Sequence, residues 1–301
     1  MKQILIPTDF SENAWNAISY AVQLFQYDSC TFHLLNTYAP IVVNSHATRD
    51  TSDEFRINDV VRTTSENRLQ KTVTAIKSQF GNERHGFKII SSFNPLVDEI
   101  KNVVDAYGIE LMVMGTKGAS DMEDVFMGSN TVHIIKSIKK CPVLAIPRHF
   151  SFATPSEIAF ATDFTRFYTT SELIPLLELA EAFNATIRIV HVQYQIKELT
   201  DLQKFNLNML RKYFVSFEYY VHTVSELNSV SQTLEVFSQE LDIHLLAMIN
   251  HRHGPMEKMT HEPVVERTAF HTPIPLLVIP ELGMEMKVKN KPKKVAPELI
   301  C

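Results

Sequence analysis

The chain of 301 residues is 45% hydrophobic and 21% charged, proportions of a globular protein long enough for two domains with cores of their own. A formal net charge of −5 speaks against a dedicated nucleic-acid binder, which would carry a basic surface. Three scattered cysteines, Cys30, Cys141 and Cys301, form neither a disulfide framework nor a paired zinc motif, and they suit a reducing, cytoplasmic compartment.

The opening MKQILIPTDF has a short apolar run broken by Pro7 and Asp9, so it reads as a buried strand and not as a signal peptide. No apolar stretch of the sequence is long enough to span a bilayer. After the strand, Ala14, Ala17, Ile18, Ala21, Val22 and Phe25 fall on one helical face, with Ser11 as cap or turn residue. TFHLLNTY reads as a second strand. Leu69, Val73, Ile76 and Phe80 mark a helix, GIELMVMG a fourth strand and CPVLAIP a fifth. Cys141 stands ahead of Pro142 at the entry to that last strand, a packing position and not that of a nucleophile.

The chain then repeats itself across a join at PRHFSFATPSE, Pro147 to Glu157. SEIAFATDFT echoes QILIPTDFS, with Thr165 where Ser11 stood and a helix face of Leu173, Leu176, Leu177, Ala180 and Phe183. TIRIVHVQY, DIHLLAMIN and IPLLVIP echo the second, fourth and fifth strands. Leu227, Val230, Leu234, Phe237 and Leu241 supply another helical face. Short, continuously apolar strands alternating with helices predict a duplicated, doubly wound α/β fold, each sheet parallel and covered on both faces. The lysine-rich tail MEMKVKNKPKKVAPELIC reads as a solvated, disordered terminus, with a polyanion-binding tail as the alternative.

In doubly wound sheets ligands bind at the carboxyl ends of the strands, where the strand order reverses. In the first copy the loops at that edge are PTDFS, NTYAP and GTKGASDMEDVFMGSN. The last holds Gly115, Gly118 and Gly128 in a glycine-poor chain, and it runs into Ser129, Asn130 and Thr131 ahead of a helical pattern. A helix opening in this way offers unpaired N–H groups, hydroxyls and a positive dipole end to an anion, and Lys117 adds a cation. The spacing is neither a Walker A loop nor a dinucleotide fingerprint. The second copy has only Gly254 and Gly283, and it reads MINHRHGPMEKMTHEPVVE where the first has its glycines. Glu262 there falls opposite Ser129 and would repel phosphate, so the second copy reads as non-binding although Asp163 survives in ATDF.

Taken together, Gly-x2-Gly-x9-Gly-Ser, the early PTDFS and the final CPVLAIP resemble the universal stress protein family, twice over, to about Pro280. The resemblance implies five-stranded parallel domains of order 3-2-1-4-5 that pair through their last strands, and ATP binding where the motif is intact. Carried over by position, Pro7, Thr8 and Asp9 match the adenosine-contacting start. Met114 and Gly115 match backbone contacts to the ribose, while Lys117 and Gly118 continue the loop. Gly128, Ser129, Asn130 and Thr131 match the phosphate cradle, and Asn36 falls near the base-contacting position. The expected organisation is a nucleotide-binding domain over 1–148, a degenerate domain over 155–281 and a basic tail over 282–301. ATP, with or without Mg²⁺, is the expected ligand, and the second domain serves as a built-in pairing partner. A homodimer of the whole chain and an unidentified protein partner stay open.

Catalysis has little support, since the resemblance puts Asp9 by the adenosine, and Asp121, Glu123 and Asp124 read as exposed loop charges and not as Mg²⁺ ligands. A slow ATPase and a nucleotide-free scaffold are the alternatives. His251, His253, His261 and His271 read as solvated loop residues, with a metal or anion site as the other reading.

Overall fold

The computed structural model describes residues 1–38, 51–116, 129–250 and 272–281, without the side chains of 51–58 and 129. In chain order the first half contains β1 (Lys2–Pro7), α1 (Glu12–Leu24), β2 (Cys30–Thr37), α2 (Thr51–Phe80) and β3 (His85–Ser92). It continues through α3 (Leu96–Tyr107), β4 (Leu111–Gly115), α4 (Ser129–Ser137) and β5 (Val143–Ile146). The second half contains β6 (Glu157–Ala161), α5 (Thr170–Phe183), β7 (Thr186–Gln193), α6 (Asp201–Tyr213) and β8 (Tyr219–Ser225). α7 (Val230–Glu240), β9 (Leu245–Asn250) and β10 (Leu276–Pro280) complete it.

The ten strands of the described residues form one sheet, in the order β3-β2-β1-β4-β5-β10-β9-β6-β7-β8. Each half is thus a parallel 3-2-1-4-5 sheet, and the halves meet where β5 runs antiparallel to β10, Leu144 opposite Leu277. The pairing through last strands that the resemblance implies is therefore the centre of the molecule. Alternate residues of each strand feed opposite faces, as the pleat requires. Ile4, Ile6, Phe32 and Leu34 pack with Leu69, Val73 and Ile76 of α2, while Leu173 and Leu176 of α5 and Leu210 of α6 continue the same core. Leu5, Met112 and Ala145 face α3 and α4, and Leu246 and Val278 face α7. The Cys141 thiol is fully buried and burial pushes its pKa up to about 12, consistent with a packing role.

The linker is held against α1: Asn16 Nδ2 donates to the carbonyls of Pro147 and Phe150, both at 3.1 Å. Phe152 meets Tyr20 edge-on at 5.3 Å between ring centroids. Thr165, one of the cap or turn residues of the sequence, is a turn residue bonded to Asp163, and Thr169 caps α5 in a capping box with Glu172. Leu227 lies ahead of the α7 cap, Ser229, and is 55% exposed, because the helix starts only at Val230.

Two histidines, the buried His33 and the half-buried His222, make stability acid-sensitive. His33 is fully buried, with Nε2 2.8 Å from Gln3 Oε1 and its ring against Tyr107; burial and then the Lys88 charge push its pKa down. His222 packs edge-on against Phe237, and burial followed by Arg188 lowers its pKa likewise. The unfolded chain, with histidines at their ordinary pKa of about 6.5, then binds protons more readily than the native one, so stability falls as pH drops through that value. A urea midpoint lower at pH 5.5 than at pH 7.5, with a smaller difference in His33→Asn, is the expected result.

Candidate functional site

The repeated Thr-Asp-Phe builds the same turn in both halves. Thr8 Oγ1 accepts from Phe10 N at 3.0 Å, and Asp9 Oδ1 accepts from Ser11 N at 3.0 Å. In the second half Thr162 Oγ1 accepts from Phe164 N at 3.0 Å and Asp163 Oδ1 from Thr165 N at 2.9 Å. These bonds hold Phe10 and Phe164 at φ of 64° and 57°, the left-handed region that costs a non-glycine residue free energy. Thr8 and Asp9 therefore have a structural duty that needs no ligand. Ser11 then caps α1 by accepting from Ala14 N at 3.2 Å.

Asn36, the last residue but one of β2, braces this turn from the neighbouring strand. Its Nδ2 donates to Thr8 O at 2.7 Å, and its Oδ1 accepts from Ser65 Oγ at 2.8 Å, which in turn accepts from Ser91 Oγ at 2.8 Å. The bond chain ties β1, β2, α2 and β3 together at the carboxyl edge. His191 takes the corresponding place in the second half, with Nδ1 3.0 Å from Thr162 O. Nδ1 is the donor there, so Nε2 accepts from Gln193 Nε2 at 2.9 Å.

Gly115 ends β4 beside this edge. A Cβ there would lie 2.6 Å from Asn13 Nδ2, 2.7 Å from Asn13 Cγ and 3.0 Å from Asn13 O. The first glycine of the motif thus admits the first turn of α1, a packing reason that the sequence does not reveal. Leu111 lies opposite Ile4 and Leu245 opposite Ile158, which makes Ile249 the second-half counterpart of Gly115. α4 begins at Ser129 and has no acidic residue in its first turn, whereas α1 opens with Glu12. Thr131 is buried, and its Oγ1 donates to Gly115 O at 3.1 Å, fastening the start of α4 to the end of β4. β1 and β4 are adjacent where the strand order reverses, so the turn at Thr8 and the start of α4 flank the switch point.

In the second half the turn after β6 is tied down by side chains of its own. α5 starts only at Thr170, leaving a longer turn after β6. From that turn Tyr168 is buried with its hydroxyl bonded to Thr162 Oγ1, and Arg166 pairs with Glu281. α6 holds the turn's carbonyls through Gln203 Nε2 to Asp163 O at 2.9 Å and Asn206 Nδ2 to Phe164 O at 2.8 Å.

Of the site residues expected from sequence, the structure gathers Pro7, Thr8, Asp9, Asn36, Met114, Gly115, Asn130 and Thr131 along the first-half carboxyl edge, with the backbone of Ser129. Pro7 and Met114 are buried, and Asp9 and Asn130 are exposed. Lys117, Gly118 and Gly128 lie outside the described residues, as do Asp121, Glu123, Asp124, the four histidines from His251 to His271 and the basic tail over 282–301. Ser65, Ser91 and Arg68 were not singled out by the sequence. The Arg68 guanidinium lies 4.1 Å from the centroid of the Phe10 ring, a contact between distant elements that no spacing signals.

The class defined so far is a tandem doubly wound α/β protein whose halves share one sheet. Residues 1–147 match the sequence model of the universal stress protein family, so this half of the chain is a domain of that family. A universal stress protein of Methanocaldococcus jannaschii is 26% identical over 160 residues, covering 49% of this chain and 95% of the relative. A universal stress protein structure from Archaeoglobus fulgidus superposes with a TM-score of 0.66 at 16% identity, over 92% of this chain and 98% of that one. A putative universal stress protein from Pseudomonas aeruginosa gives 0.55 at 15% identity, covering 93% of each chain. At such identities the two structures speak for the fold, and they do so across both halves. Among the described residues no helix is long and apolar enough to cross a membrane.

Proposed function

We propose that the chain is an ATP-binding regulatory protein of the stress response, with nucleotide held by the domain over 1–148 and the domain over 155–281 serving as a non-binding, built-in pairing partner. The observation that carries the reading is the contrast between the two switch points of one sheet. In the first, α4 opens without an acid, fastened by Thr131 to Gly115, beside a turn braced by Asn36. In the second, Tyr168 and Arg166 are drawn into the turn, and α6 ties its carbonyls down. Helix N-termini bind phosphate through free N–H groups and the dipole. The Ser129, Asn130 and Thr131 segment fits the phosphates in that way, and Lys117, Gly118 and Gly128 belong to the same loop in sequence. Pro7, Thr8, Asp9, Asn36, Met114 and Gly115 would hold the adenosine end. Regulation is the reading, with slow Mg²⁺-dependent ATP hydrolysis as its alternative.

Ser129→Glu tests it by giving the first half the residue of the second. A carboxylate in the first turn favours the helix dipole by about 0.3–1 kcal/mol while repelling phosphate. Equilibrium dialysis should show ATP affinity reduced at least about tenfold, with no fall in the urea midpoint. Wild-type protein without measurable ATP affinity would rule the proposal out.

A further inference from the structure

The helix that opens at the candidate phosphate site ends on the other half of the molecule. Asn250, the last residue of β9, donates from Nδ2 to Ile135 O at 3.1 Å, a carbonyl in the last turn of α4. Last-turn carbonyls have no onward partner within their helix, and a side-chain donor there both satisfies one and suits the negative dipole end. The first turn of the same helix is tied to β4 through Thr131 and Gly115, and Val132 and Ile134 between the two attachments are buried. α4 is therefore a short rod, about 13 Å long at 1.5 Å per residue, held at one end by the first half and at the other by the second. Asn250 is itself built into the second-half edge. It pairs with Pro280 in the β9–β10 register, and the next residue, Glu281, is ion-paired with Arg166 of the turn after β6. The path from that turn to the start of α4 is continuous in named contacts.

We propose that Asn250 is a positioning residue for the nucleotide site, and that through it nucleotide binding at the start of α4 is coupled to the carboxyl edge of the second half. This rests on the ATP-binding reading above. The second half then acts as more than a filler of the sheet: its carboxyl edge is where occupancy of the first half is reported, and a protein bound there would alter ATP affinity in return, since coupling between two binding sites is reciprocal.

The test uses full-length protein, ATP, and the variants Asn250→Ala and Asn250→Asp. Alanine removes the donor, and aspartate places an acceptor and a negative charge against the negative end of the helix. ATP affinity should fall about 3- to 10-fold in Asn250→Ala and further in Asn250→Asp, an order that follows from the single hydrogen bond and the dipole. The second readout is hydrogen exchange of the Ile249 and Asn250 amides in the second half. ATP should slow it in the wild-type protein and leave it unchanged in Asn250→Ala, an effect that a purely structural role would not produce. Wild-type protein that binds ATP without slowing that exchange, or variants that bind ATP as the wild type does, would overturn this inference alone. Wild-type protein that fails to bind ATP overturns the function proposal and this one together.

Discussion

Gly115→Ile should lower stability by about 1–3 kcal/mol, the usual cost of forcing extra methylenes into a packed site. The substitution imports the residue that the second half carries in the corresponding place, so the two halves serve as each other's control. Ile249 is buried without difficulty because α5 begins only at Thr170, after a longer turn. In the first half α1 begins at Glu12, and Asn13 in its first turn stands within 2.6 Å of where a Cβ would sit. Even Gly115→Ala should therefore move α1. Part of the loss should return in an Asn13→Ala background, since two of the three close atoms belong to the Asn13 side chain, while the third, the backbone oxygen at 3.0 Å, stays. Urea unfolding of the four proteins gives the comparison. A Gly115→Ala midpoint equal to the wild type's would reject the packing account and return this glycine to a purely ligand-contacting role.

That glycine shows where sequence reasoning succeeds and where it stops. Continuous apolar strands and a repeated Thr-Asp-Phe were enough for the duplicated α/β architecture, because strand burial and turn chemistry are local and periodic. The start of α5 is also within reach: Thr169 and Glu172 carry the capping-box spacing, while the match of Thr165 to Ser11 marks the turn. Leu227 falls on the apolar helical period because that period runs through the cap without interruption, and periodicity alone does not mark where a helix begins. The contacts of the site itself are of another kind. Asn36 to Thr8, Ser65 to Asn36, Arg68 over Phe10 and Asn250 to Ile135 each join elements far apart in the chain. No pattern of residue types encodes them. The structural duty of Thr8 and Asp9 is hidden for a related reason: a side chain that locks a left-handed turn and one that meets a ligand look alike in sequence. The second half shows the turn without the glycine motif: Thr162 and Asp163 form it with the same bonds, and the Tyr168 hydroxyl meets Thr162 there.

Leu277→Ala should be the most damaging of the conservative substitutions considered, at about 2–5 kcal/mol, the range for truncating a buried leucine. Leu277 lies opposite Leu144 in the antiparallel pairing that joins the halves, and both side chains are fully buried. The seam has few backbone pairs, with Leu276 opposite Ala145 and Val278 opposite Val143 on either side, so side-chain burial carries much of its stability. Leu144, Ile146, Leu277 and Ile279 belong to one continuous core with α1 and α5, and that continuity decides the form of the result. If the halves unfolded independently, truncation at the seam would lower one transition and leave the other in place. A shared core predicts a single cooperative transition, shifted as a whole and reported alike by probes in either half. Two separated transitions in the wild-type protein would show that the seam joins two autonomous domains, and the transmission through Asn250 and α4 would then lack the rigid frame it needs. One transition, moved by Leu277→Ala and by an equivalent Leu144→Ala to a similar extent, would place the seam inside the cooperative core that both halves share.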